Sequence, residues 1–319
     1  MTEARIIAGG TTLVDLMKLG VETPEAFIDI VADGALPSGV EITQGGLRIG
    51  ALATMAEVAA HPGVIAHYPA IAQSLQQAAS PQIRNMATIG GNLMQRTRCT
   101  WFRDTSTNCA KRTPGAGCAA LDGPGRGMAV LGRGSACIAA YPGDLAIALV
   151  AYGASITLRA ADGSERVVPV ADFYLSPGET PHLETVLAAG EQIVTVHVPN
   201  SEWTHSSYTK LRDRAAYAFA LASVALCLKT GADGKIMAAK LAIGGLASKP
   251  WYCPDAQVIL VGESLTPQLA DAVANACFAE AEGDAGMILI GKAAVRAALE
   301  RTRSKLQKPD ETDWKGQSQ

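Results

Sequence analysis

Long apolar runs are missing from this chain. The longest, Ala218 to Leu228, is broken by Ser223 and falls far short of the roughly 20 residues that a bilayer-spanning helix needs. It reads as a buried core element, and no membrane span is expected. The amino terminus lacks a charged leader, an apolar stretch and a small-residue cleavage site, so no export signal of its own is expected either. An excess of charge of one sign is absent as well: 27 Lys and Arg against 30 Asp and Glu leave −3 at pH 7. Such a balance gives no general basic footprint for nucleic acid. His182 and His205 stand alone, without the paired spacing of metal ligands, and read as core or surface histidines. No close Cys-x-x-Cys pair occurs, although structural zinc sites are usually built from such pairs.

Seven cysteines are present, and four of them, Cys99, Cys109, Cys118 and Cys137, crowd into one stretch. An odd count without a secretory signal points to a reducing compartment, where clustered cysteines bind metal more often than they form disulfides. The expected location is therefore cytoplasmic, with a periplasmic one open through co-export with a signal-bearing partner. Between Arg96 and Cys137 seven cations face only Asp104 and Asp122, a local charge of +5. Nearby cations lower the cost of forming thiolates, the metal-binding form of cysteine. They also suit the net negative charge of a four-thiolate iron–sulfur cube. From the spacing alone a cube, a zinc ion, and reduced or disulfide-bonded cysteines all remain open.

At 319 residues the chain is long enough for two domains. Arg5 to Ala8 reads as a strand, Gly9-Gly10-Thr11-Thr12 as a turn, and Leu13 to Lys18 as a helix. Unpaired N–H groups at such a turn make an anion site for a phosphate or pyrophosphate, though this is neither G-x-G-x-x-G nor the Walker pattern. A plain turn with a Thr N-cap is the alternative. Strands follow at Phe27–Ile30 and Leu47–Leu52, then a helix capped by Thr54 and another from Tyr68 to Ala79. A second glycine pair, Gly90-Gly91, stands beside Asn92, where backbone and amide could approach a ligand. Asp144 reads by itself as an N-cap for Leu145–Tyr152, and Lys210 as a solvated strand start or a phosphate contact. The remaining strands are placed at 155–159, 165–170, 190–199 and 235–243, with helices at 267–281 and 286–305 covering one face of the second sheet.

Together these stretches resemble the FAD-binding medium subunit of the molybdenum hydroxylase family. The carriers are Ile6-Ile7-Ala8-Gly9-Gly10-Thr11-Thr12-Leu13, Thr88-Ile89-Gly90-Gly91-Asn92, Pro142-Gly143-Asp144 and Tyr208-Thr209-Lys210. The resemblance implies an α+β fold: an FAD-binding PCMH-type domain of two α/β subdomains at 1–203, then a CO dehydrogenase flavoprotein C-terminal-like domain of antiparallel sheet plus helices at 204–306. A polar tail, 307–319, would follow. It also implies that both glycine motifs clasp the FAD pyrophosphate through Ile6, Ile7, Ala8, Gly9, Gly10, Thr11, Thr12, Leu13, Thr88, Gly91 and Asn92. Asp144 and Lys210 would add flavin contacts. The segment at about 96–138 is similar to an insertion in flavin subunits of bacterial periplasmic aldehyde oxidoreductases, where four cysteines bind an extra [4Fe-4S] cluster. In the family a strand and a helix usually precede the first glycine motif. Their absence here implies either a start further upstream or a first strand lacking its neighbour.

The implied partners are a large subunit carrying the molybdenum cofactor, a small subunit carrying two [2Fe-2S] clusters, and an external electron acceptor. No acid–base catalyst is expected in this chain. Other readings kept open are the flavin subunit of a 4-hydroxybenzoyl-CoA reductase-like enzyme, a self-contained flavin oxidoreductase, and a zinc-stabilised assembly subunit without redox chemistry.

Overall fold

The computed structural model describes residues 4–123, 125–200 and 202–307. The chain opens with a parallel pair, β1 (Arg5–Ile7) and β2 (Phe27–Asp29), linked through α1 (Leu13–Lys18). β2 ends one residue earlier than its apolar pattern suggests. The Asp29 carboxylate accepts the backbone N–H groups of Val31 and Ala32, which starts α2 (Ile30–Asp33). N-cap chemistry thus overrides strand propensity at Ile30.

β3 (Val40–Thr43) and β4 (Gly46–Gly50) form an antiparallel hairpin. The Thr54 capping box, reciprocated by Glu57, then starts α3 (Met55–Ala60). Four short helices follow, each begun by a proline or a capping hydroxyl: α4 (Pro62–His67), α5 (Pro69–Gln76), α6 (Pro81–Met86) and α7 (Ile89–Leu93). The segment carrying the clustered cysteines holds one regular element, α8 (Thr100–Arg103). After it come α9 (Leu145–Tyr152), β5 (Ser155–Arg159), β6 (Glu165–Pro169), α10 (Val170–Phe173) and β7 (Gln192–Pro199). The five strands β3-β4-β7-β5-β6 make one sheet with every pairing antiparallel.

The second sheet, also antiparallel, has the order β11-β10-β9-β8, from β8 (His205–Leu211), β9 (Ala222–Thr230), β10 (Ile236–Gly244) and β11 (Trp251–Tyr252). α11 (Pro254–Leu260), α12 (Pro267–Cys277) and α13 (Ala285–Gln307) cover one face. Contrary to expectation the other face is covered too, by α5 and α9. That is why β9 shows no polar alternation: its first seven residues are all buried, as in any strand packed on both sides. Ala218–Leu221 precede β9 as loop, so the apolar run is not one element. All eight residues of α9 are buried, and Ala225, Cys227 and Ala242 of the second sheet share a core with Leu47 and Ile49 of the first.

The cysteine segment joins both halves. Val130 and Leu131 donate to the Leu246 carbonyl, and Leu131 pairs with Ala247. The expected polar tail lies outside the described residues apart from Gln307, which ends α13. Among the described residues no helix is long and apolar enough to cross a membrane.

Candidate functional site

The two glycine turns, about 80 residues apart in sequence, meet in space. A Cβ on Gly9 would overlap the Met86 carbonyl, which lies just ahead of Ala87 and Thr88. Backbone therefore packs on backbone there, and no larger residue fits. Gly10 sits at φ +69° with its carbonyl accepting from Val14 at 2.9 Å, which closes the turn into α1. Thr12 stands at the N-cap of α1 but makes no side-chain cap, leaving its hydroxyl uncommitted to the helix. Thr88 does cap α7, accepting from the Gly91 amide at 3.1 Å. Gly90 presses on Ala51, whereas Gly91 is exposed and meets nothing but Thr88 Oγ1 within 4 Å.

Asn92 supplies a further sign of a ligand. Its Oδ1 is buried and has no hydrogen-bond partner, while its amide nitrogen lies 3.4 Å from Met55 Sδ. An unpaired buried acceptor costs free energy unless something outside the chain satisfies it. These turns and that amide fit a dinucleotide. Ile6, Ile7, Ala8, Thr11 and Leu13 form the strand, turn and helix start around them.

Asp144 and Lys210 are brought together as a buried pair. Lys210 Nζ donates to Asp144 Oδ2 at 2.8 Å and to the Gln77 carbonyl at 3.1 Å, and Tyr208 Oη donates to Asp144 Oδ1 at 2.6 Å. Asp144 occupies the N-cap position of α9 without capping it, because both its oxygens are engaged by β8. Burial raises the Asp144 carboxyl above its ordinary value, against the pull of the Lys210 ammonium and the Tyr208 hydroxyl. The pair bolts β8 to α9, so the expectation of a solvated Lys210 does not hold.

The four clustered cysteines converge. Cys99, Cys109 and Cys137 are buried in one group with Leu16, Phe102, Met128 and Ile138, and Cys118 packs against it. Cys109 and Cys118 face each other across a bridge closed by Ala110 N–H to Gly117 O and Ala119 N–H to Asn108 O. Cys99 begins α8, whose Trp101 and Phe102 amides point at its sulfur, and the Ala139 amide donates to Cys137 Sγ at 3.5 Å. Burial raises both the Cys99 and Cys137 thiols. Cys99 is raised further by Cys109 and Cys118, and Cys137 by Cys118 and Cys99. Each of these thiols therefore has others of the four near enough to act on it. Tetrahedral zinc with thiolates at about 2.3 Å would hold them roughly 3.8 Å apart. Among the described residues no three His, Cys, Asp or Glu side chains are gathered to ligate a single ion.

The cationic excess of this segment is mostly spent elsewhere. Arg98 and Arg103 both bind Asp15 of α1, Arg96 binds Glu22 and Glu184, and Lys111 binds Glu184. Arg112 donates to the carbonyls of Trp101, Phe102 and Thr107. Lys111 still lowers the Cys137 thiol. Asp15 and Glu184 escaped the sequence reading because they lie outside the cysteine window. Asp15 docks the segment onto α1, so the cysteine segment and the first glycine turn share one helix, while Glu184 ties it to the loop between α10 and β7. Of the remaining cysteines, Cys227 is wholly buried with its thiol pushed far up, as an inert core residue should be.

A strand–glycine turn–helix paired with a second glycine turn, followed by a helix-backed antiparallel sheet, defines a two-part α+β architecture. Comparison with known proteins narrows this. Residues 1–201 match the family described as the FAD binding domain in molybdopterin dehydrogenase, and residues 206–287 match the CO dehydrogenase flavoprotein C-terminal domain. The chain belongs to this family, as an FAD-binding medium subunit of the molybdenum hydroxylases. It is 43% identical over 305 residues to the aldehyde oxidoreductase FAD-binding subunit PaoB of Escherichia coli K12, covering 94% of this chain and 92% of that one. The nicotine 6-hydroxylase medium subunit of Paenarthrobacter nicotinovorans is 27% identical, over 86% of this chain and 78% of its own length. The fold matches a chain of the Cu,Mo-CO dehydrogenase structure with a TM-score of 0.72 at 24% identity, covering 95% and 90% of the two chains.

Proposed function

We propose that this chain is the electron-transfer subunit of a molybdenum-dependent aldehyde oxidoreductase, holding FAD between its glycine turns and a [4Fe-4S] cluster on Cys99, Cys109, Cys118 and Cys137. The observation that supports the cluster is the packing of Cys99, Cys109 and Cys137 in one buried group, with half-buried Cys118 against it, on a segment docked to α1. The 43% identical relative named for aldehyde oxidation supports the substrate class. A large molybdenum-cofactor subunit would hydroxylate the aldehyde, and a small subunit with two [2Fe-2S] clusters would pass electrons to the FAD held by this chain, from which an external acceptor would take them. We assign the flavin-binding part to residues 1–203 and the helix-backed sheet to 204–306.

When bound, FAD supplies the step between one-electron and two-electron chemistry. The residues of this chain bind and orient it. Gly9 lets the first turn pack on the Met86 backbone, Gly91 leaves the second turn open to phosphate, Thr88 fixes that turn, and Asn92 Oδ1 offers an acceptor. Asp144 and Lys210 hold β8 against α9. The cysteines hold the cluster while Asp15 clamps its loop to the flavin turn. No side chain here needs to move a proton at the substrate, which belongs to the large subunit.

The experiment is metal, sulfide and flavin analysis of the chain purified with whatever co-purifies. Iron matched by acid-labile sulfide and one flavin, beyond the share of the small subunit, is the expected result. Stoichiometric zinc without sulfide would replace the cluster with a structural ion.

A further inference from the structure

Pro142-Gly143-Asp144 marks a motif whose glycine neither the flavin turns nor the cysteines explain. A Cβ on Gly143 would run into Tyr141 Oη and lie 2.7 Å from Gln95 Nε2. Those two groups belong to a closed hydrogen-bond network. Tyr174 Oη donates to the Leu93 carbonyl at 3.0 Å, so its single proton is committed, and the 2.9 Å bond between the phenols must run from Tyr141 to Tyr174. Gln95 Nε2 donates to the Asn92 carbonyl at 2.9 Å and hydrogen-bonds the Tyr141 hydroxyl. The rings also pack, with centroids 4.8 Å apart.

One end of this network lies at the second glycine turn, and the other leads along the chain towards the cysteines. Asn92 and Leu93 are the last residues of α7, which carries the second glycine turn. Tyr141 lies four residues beyond Cys137, along a segment pinned by the Ala139 amide to Cys137 Sγ, by the Ala129 amide to the Ile138 carbonyl, and by the Tyr141 amide to Ala247. Both phenols are fully buried, and a half-satisfied buried network is costly, so it has few intermediate arrangements. Resting on the flavin and cluster reading above, we infer that Tyr141 and Tyr174 are positioning residues that couple the two sites, so that filling the cysteine site orders α7 and tightens FAD binding. Burial raises both phenols well above their ordinary range, so both keep their protons and the network persists at working pH.

By linkage the coupling is reciprocal, and a typical magnitude is about tenfold in each affinity. The test uses the full chain, stripped of flavin and prepared with and without iron, titrated with FAD itself and read by flavin fluorescence. Wild type should bind FAD about tenfold tighter in the iron-loaded form. In Tyr174→Phe, which keeps the ring and loses the bond to Leu93, the two forms should bind equally. Gly143→Ala should abolish the difference by the same route. Hydrogen exchange gives a second readout: iron should slow the amides of α7 in wild type and leave them unchanged in Tyr174→Phe. Equal affinity of the two wild-type forms, or an undiminished ratio in Tyr174→Phe, overturns the coupling while both cofactors still bind. If neither form binds FAD, the flavin reading beneath it fails as well.

Discussion

A side chain at position 10 would have to hold φ near +69° with Val14 Cγ2 3.2 Å from its Cβ. Gly10→Val should therefore weaken FAD about tenfold, in line with the 1–2 kcal/mol that an L-residue loses in this region. Unchanged loading in a flavin titration would remove the first turn from the cleft. Cys118→Ser should lower iron content more than flavin content, since thiolates and glycine turns serve different groups. Equal loss of both would make the segment a fold element instead. Asp144→Ala leaves the Lys210 ammonium buried with only the Gln77 carbonyl. Breaking a buried pair costs about 3–5 kcal/mol, so a clear drop in Tm is expected, and Tm within a degree of wild type would contradict the burial argument. Sequence alone could single out Asp144 and Lys210 but not their union, because nothing local links residues 66 positions apart. The same blindness made the cysteine window look strongly basic, when Asp15, Glu22 and Glu184 arrive from outside to neutralise it.

Elements with a cap, a proline or a strict period were legible. α1 and the Thr54-capped α3 begin where their residues say, and β10 starts within one residue of its expected place. β3, α4 and α6 passed unread, being too short for periodicity to emerge. The coverage of β9 on both faces was not legible either, since an apolar run does not say what lies against it. One surface contact is open to a pH test. Arg166 forks onto Glu191, which also accepts the Ala188 amide, and so ties β6 to the turn before β7. These bonds hold the Glu191 carboxyl down at about 2 from an ordinary 4.5. A folded value below the unfolded one stabilises above about pH 4.5 and is lost as the pH falls through about 2. The Tm difference between wild type and Glu191→Gln should accordingly be largest near neutrality and shrink from pH 5 downward. A difference independent of pH would remove the ion pair from the account.

At the scale of the whole molecule, the family was legible because its glycine and cysteine motifs lie in continuous stretches, whereas their meeting depends on packing. The two sheets share one core through α9, Ala225, Cys227 and Ala242, and the cysteine segment is bonded both to the residues after β10 and to α1. Heating the full chain should therefore give one cooperative transition by calorimetry, and two well-separated transitions would contradict a shared core. On the proposed reading, one polypeptide holds both a flavin and a cube. Low-temperature EPR of the dithionite-reduced protein, purified with its partners, tests this most directly. A fast-relaxing [4Fe-4S] signal present in wild type and lost in Cys137→Ser, with the slower [2Fe-2S] signals intact, is the predicted result. Identical spectra from both proteins, showing [2Fe-2S] signals alone, would contradict it.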